Sequence, residues 1–85
     1  MNLMKIIVNK KINNISVDEL LKLCHEHQIT VTYQQAQQAV QVIKQKKVDI
    51  YDDHDRLELI NKIAYITNPT TAEQVNGLLL KLIKK

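Results

Sequence analysis

Four short polar residues punctuate this chain, each three positions before an acid or amide and each at the head of an apolar run. They are Ser16 before Glu19, Thr32 before Gln35, Asp52 before Asp55 and Thr70 before Glu73. A helix leaves its first backbone N–H groups without intrahelical acceptors, and a side-chain oxygen at the N-cap takes one of them. In three of these pairs the partner is Glu or Gln, which reaches back to the N–H of the cap and completes a capping box. In the Asp52 pair two carboxylates face the positive end of the helix dipole instead. Four helix starts in 85 residues leave little chain for anything but helices. The single Gly and single Pro agree, because tight hairpins need Gly or Asn at positive φ.

A chain of 85 residues and 9.9 kDa makes one helical domain over 1–85. Area scaling gives roughly 9,000 Å² removed from water on folding, an upper bound because real unfolded chains are more compact. Such a core stands alone with little margin. A ligand pocket of ~300 Å³ would consume much of it, which argues against an enzyme with a small-molecule substrate. At 45% apolar and 25% charged the composition is that of a globule, not a disordered chain. The net charge of +3 permits weak attraction to nucleic acid or an anionic surface and demands neither. One cysteine, Cys24, excludes an internal disulfide and fits a reducing, cytoplasmic compartment. The apolar start, Met1 to Val8, is too short for a signal peptide. No stretch approaches the ~20 apolar residues of a membrane span, so no membrane partner is expected.

Along the chain, Leu3, Met4, Ile7, Val8 and Ile12 fall near helical spacing, and Asn13-Asn14 ends the segment. The run Ile6-Ile7-Val8 equally suits a strand, but no partner strand is evident, so residues 3–12 read as a short helix. After Ser16, the residues Val17, Leu20, Leu21 and Cys24 make one apolar face, with the helix ending near Gln28. Ile29-Thr30-Val31 is a short extended link. The helix over 32–46 turns Ala36, Ala39, Val40 and Ile43 inward and five glutamines outward. Val48-Asp49-Ile50 is a second extended link of the same pattern. Asp52 or Asp53 then starts a helix with Leu57, Ile60, Ile63 and Ala64 inside, stopped by Pro69. Thr70 caps the last helix, whose stripe is Ala72, Val75, Leu78, Leu79, Leu82 and Ile83. Gly77 inside it costs ~1 kcal/mol relative to Ala, and a close helix crossing would account for it. Tyr33 and Tyr51 stand beside caps, where a hydrophobic staple would place them. The fold expected is an all-α compact bundle of four to five short helices joined by short extended links.

Few residues carry chemistry. Cys24 and His27 are i, i+3 on a helix and would converge on a zinc ion, with His54 a distant further ligand. His25 projects about 100° away, and Cys24 continues the apolar stripe, so a buried thiol beside solvated histidines is the simpler reading. Asp49, Asp52, Asp53 and Asp55 lack the glycine and the late Glu of a calcium loop and suit an N-cap. Ser16 is taken by a cap, Cys24 has no activating cation on its own face, and one Gly cannot build a phosphate loop. No catalytic residue, cofactor or metal ligand is therefore assigned.

Two binding readings remain. The apolar residues off the inner stripes, Leu23, Val42, Leu59, Ile66 and Leu80, would form an exposed face for a protein partner or for self-association. Alternatively Lys44, Lys46 and Lys47, at the basic end of helix 32–46, would meet a nucleic-acid backbone with Gln34, Gln38 and Gln41 nearby. The helix–link–helix of 16–46 resembles SAP-like nucleic-acid modules in outline.

Lys11-Ile12-Asn13, Asp18-Glu19-Leu20-Leu21 and Ile66-Thr67-Asn68-Pro69-Thr70-Thr71-Ala72 are among the stretches through which the full chain resembles the YqfT-like family of small uncharacterised proteins from low-GC Gram-positive bacteria. The resemblance rests also on Gln35-Ala36, Val48-Asp49-Ile50-Tyr51-Asp52 and Val75-Asn76. Its most specific stretch is Ile66-Thr67-Asn68-Pro69-Thr70-Thr71-Ala72, preceded by Ile63-Ala64-Tyr65. It implies a cytoplasmic, single-domain protein and carries no activity with it.

Overall fold

The computed structural model describes residues 3–84 as five helices: α1 (Leu3–Asn13), α2 (Val17–Glu26), α3 (Tyr33–Gln45), α4 (Asp53–Ile66) and α5 (Pro69–Ile83). No strand occurs among the described residues, and 3–12 is helical. Ser16 caps α2 and Thr32 caps α3, both with complete capping boxes. Asp52, not Asp53, caps α4 through the N–H of Asp55 at 2.9 Å.

The fifth helix starts earlier than Thr70. Asn68 is its cap, with Oδ1 accepting from the N–H of Thr71 at 2.8 Å, and Pro69 is the first helical residue. Proline suits that position because the N–H it lacks would have no partner there. It also holds Asn68 extended, at φ −166° and ψ 165°, as a cap requires. Thr70 therefore lies within the first turn, and Pro69 both separates α4 from α5 and opens α5.

Helix α2 closes without glycine. Gln28 takes φ 60°, the N–H of Ile29 donates to the carbonyl of Cys24 at 2.8 Å, and that of Gln28 donates to His25 at 3.0 Å. This is a Schellman closure, and the burial of both Ile29 and Cys24 supplies its apolar contact.

Helix α3 packs against α1, α2 and α4, and α4 pairs most extensively with α5. The radius of gyration, 11.8 Å, matches the ~12 Å expected of one compact unit this long. Ala36, Ala39, Val40 and Ile43 are buried as their spacing predicts, and so are Ala72, Val75, Leu78 and Leu79. Helix α4 differs from expectation. Arg56, Leu59, Ile60 and Ile63 face the core, while Leu57 is 48% exposed. The inner stripe runs from position 56, and Leu57 lies about 100° round the helix from it. Tyr33 is also exposed. It follows the cap instead of preceding it, and the half-buried Val31 occupies the staple position. Tyr51 does pack on the core.

Arg56 is a buried cation that knits three segments together. Its Nε donates to Asn76 Oδ1 of α5 at 3.1 Å, Nη1 to the carbonyl of Ile50 at 3.2 Å, and Nη2 to Asp53 Oδ1 at 2.7 Å. The core encloses a space of about 40 Å³ bounded by residues such as Cys24, Ala36 and Leu78, far below the ~300 Å³ of a ligand pocket. Around Gly77 nothing lies within 4 Å of where a Cβ would sit, so no helix crossing requires it.

Candidate interaction surface

Lys5, Asn9 and Asn13 recur every fourth residue and so share one side of α1. Each reaches the link between α3 and α4. Asn13 pairs with both backbone groups of Val48: Nδ2 donates to the carbonyl and Oδ1 accepts the N–H, each at 2.8 Å. Asn9 Oδ1 accepts the N–H of Ile50 at 2.9 Å, and its Nδ2 donates to Asp49 Oδ1 at 2.8 Å. Lys5 Nζ lies 3.3 Å from Asp49 Oδ2. The N–H groups of Asp49, Tyr51 and Asp52 are also taken. Asp49 donates to Asp55 Oδ2, Tyr51 to Asp49 Oδ1, and Asp52 to the carbonyl of Asp49. A buried backbone must find partners, and here side chains of α1 and α4 replace the ladder of a sheet. Burial raises the pKa of Asp49, but the hydrogen bonds from Asn9, Tyr51 and Lys5 outweigh it and hold the carboxyl below its ordinary value.

Because α1 docks through Val8, Asn9, Ile12 and Asn13, its opposite arc faces water. Leu3 is 68% exposed, Ile7 51%, Met4 47% and Ile6 46%. Lys10 and Lys11 follow on the same arc, and the helix contains no acid. Beside it, an open groove of about 620 Å³ runs between α1 and the link, with Ile6, Lys10 and Lys47 on its walls.

Residues 1–83 match the family described as "Protein of unknown function (DUF2624)". The chain belongs to this family. It is also similar to "Uncharacterized protein YqfT" of Bacillus subtilis (strain 168), with 31% identity over 72 residues, covering 85% of this chain and 86% of that one. No solved structure matches. Two stretches that carry the family resemblance, Lys11-Ile12-Asn13 and Val48 to Asp52, are the two that Asn13 joins.

The apolar face expected from Leu23, Val42, Leu59, Ile66 and Leu80 is buried at Leu59 and half-buried at the other four positions. Leu59 is 4% exposed, Leu23 and Val42 pack against the core, and Ile66 and Leu80 are half-buried. Helix α3 packs against three helices and α4 against two, so their buried arcs are wider than one stripe. The exposed apolar residues cluster on α1 instead.

The basic end of α3 is partly neutralised. Lys46 lies 3.5 Å from Glu58, whose pKa is lowered first by that lysine, while Lys44 and Lys47 are exposed without an ion pair among the described residues. Cys24 is 2% exposed and burial pushes its thiol up, whereas His25 and His27 are on the surface; the structure does not bring these residues together as ligands. Among the described residues, ligand-type atoms of Asp52, His54 and Asp55 lie within 4.8 Å of one another. Asp52 and Asp55 already accept backbone N–H groups there, and the positive end of the α4 dipole disfavours a cation. Among the described residues, no helix is long and apolar enough to cross a membrane.

The sequence reading missed Asn9, Asn13 and Arg56. The four-residue spacing of Lys5, Asn9 and Asn13 was the available signal, since asparagine is a poor helix residue unless its amide is used.

Proposed function

We propose that this protein is a non-enzymatic protein–protein interaction module acting through the outward arc of α1, in a reducing, cytoplasmic compartment. The observation that carries the reading is that Leu3, Met4, Ile6 and Ile7, four large aliphatic side chains in two turns, lie 46–68% exposed on a helix that is anchored on its other side. Contiguous apolar patches rimmed by charge mark contact sites. Burying such a side chain fully yields about 1.5–3 kcal/mol, so covering the exposed half of each yields ~3–6 kcal/mol in all. Association costs at least ~4 kcal/mol, so this arc supports a transient contact or one reinforced by charge. The single cysteine, buried in the core, supports the compartment. A surface for a nucleic-acid backbone at Lys44, Lys46 and Lys47 is disfavoured because Glu58 shares Lys46.

The test is cross-linking in the native host with wild type and Ile7→Asp. The expected result is a partner, or a second copy, that is captured by wild type and lost with Ile7→Asp while the thermal midpoint is retained. Identical cross-linked species for both proteins would contradict the reading.

A further inference from the structure

We infer that the groove between α1 and the link at 47–50 takes an acidic, apolar segment of a partner protein, its carboxylate between Lys10 and Lys47 and an apolar side chain over Ile6. This rests on the interaction reading above and names the chemistry of the partner.

The groove is open and about 620 Å³, room for a few side chains. Its own polar groups are largely committed. Asp49 is bound by Lys5, Asn9 and the N–H of Tyr51, and Asp55 accepts from Asp49. Asn13 is spent on Val48, and Asn14 Nδ2 donates to the carbonyl of Lys10 at 2.8 Å. Lys10 and Lys47, both on the walls, make no ion pair among the described residues, in contrast to Lys5, Lys46 and Lys62. With Asp49 bound to Lys5, the charges left on the walls are Lys10 and Lys47 against Asp55, which makes no ion pair among the described residues; the balance is positive beside exposed aliphatic surface, and its complement is negative and apolar. A second copy offering the same arc brings no acid on its α1 to meet Lys10 and Lys47. A bilayer is flat on this scale and would meet Leu3 and Ile7 without entering the groove. Single-stranded nucleic acid needs aromatic platforms for its bases, and α1 has none.

The experiment is selection of short random peptides displayed on phage against the full chain. Enriched peptides are expected to join Asp or Glu to a neighbouring large apolar residue. A synthetic copy should bind Lys10→Glu and Lys47→Glu about tenfold more weakly, and Lys44→Glu as well as wild type. Replacing the peptide's acid by lysine should restore binding to Lys10→Glu. Peptides without acids, or binding indifferent to Lys10 and Lys47, would overturn the inference; if such peptides are lost with Ile7→Asp, the α1 reading survives it. Failure to enrich any peptide overturns it too. Ile7-dependent sedimentation with phosphatidylglycerol vesicles would then assign α1 to lipid, and an Ile7-dependent dimer in light scattering would assign it to a second copy.

Discussion

Two adjacent asparagines give opposite expectations. Asn13 joins α1 to a segment 35 residues away through both backbone groups of Val48, whereas Asn14 bonds only the carbonyl of Lys10 on an exposed turn. A hydrogen bond contributes about 0.5–1.5 kcal/mol net, and a polar group left unpaired costs somewhat more. Asn13→Ala removes two bonds between segments and strands the N–H and carbonyl of Val48. The site is half-buried, so water recovers part of the loss, and the expected cost is about 2 kcal/mol. In a domain this small that lowers the thermal midpoint by about 8–16 °C. Asn14→Ala should stay within about 0.5 kcal/mol of wild type. Urea and thermal unfolding followed by circular dichroism at 222 nm measure both, and the absence of tryptophan makes that the practical signal. If Asn13→Ala is as stable as wild type, or if the two variants are destabilised equally, the docking of α1 on the link is refuted.

Gly77→Ala is expected to stabilise by about 0.5–1 kcal/mol, because the added methyl meets nothing and helix propensity improves; a loss of stability in urea would reveal a contact at that face. Arg56→Ala should cost about 2–4 kcal/mol, since Asn76 and the carbonyl of Ile50 lose their donor inside the core. Arg56→Lys should recover little, one ammonium being unable to reach three acceptors in the guanidinium geometry. Asn68→Ala should cost about 1 kcal/mol and Thr70→Ala much less, the reverse of what a cap at Thr70 would give. Asp49 titrates lower in the folded chain than in the unfolded one, so its contribution is complete above the unfolded pKa of about 3.9 and is lost as pH falls through the folded value. The midpoint gap between wild type and Asp49→Asn should therefore narrow below about pH 4; a gap that stays constant under acid would contradict this.

Signals confined to one turn were legible in the sequence. Ser16, Thr32 and Asp52 each act on a residue three positions ahead, so their capping needed no knowledge of the fold. Thr70 was misread because Pro69 moves the helix start upstream, and a proline before an apolar run reads equally as a stop or as a first residue. What escaped is long-range. Asn9 and Asn13 find partners 35 to 41 residues away, and Arg56 reaches Asn76 across 20. A polar residue on a helix does not disclose whether it faces water or a distant backbone. Periodicity likewise locates an apolar stripe without showing how many neighbours cover it. Leu23, Val42 and Leu59 were therefore expected outside, whereas Leu3, Met4 and Ile7 were read only as the apolar spacing of a helix and not as its exposed side.

The orientation of α1 is tested most directly by the solvent exposure of isoleucine methyl groups. In protein labelled at isoleucine methyls, a soluble gadolinium chelate should broaden the signals of Ile6 and Ile7 strongly and leave those of Ile12, Ile15 and Ile50 sharp. Ile6 and Ile7 as protected as Ile12 would mean that α1 is turned the other way or already covered, and the surface described for it would not exist.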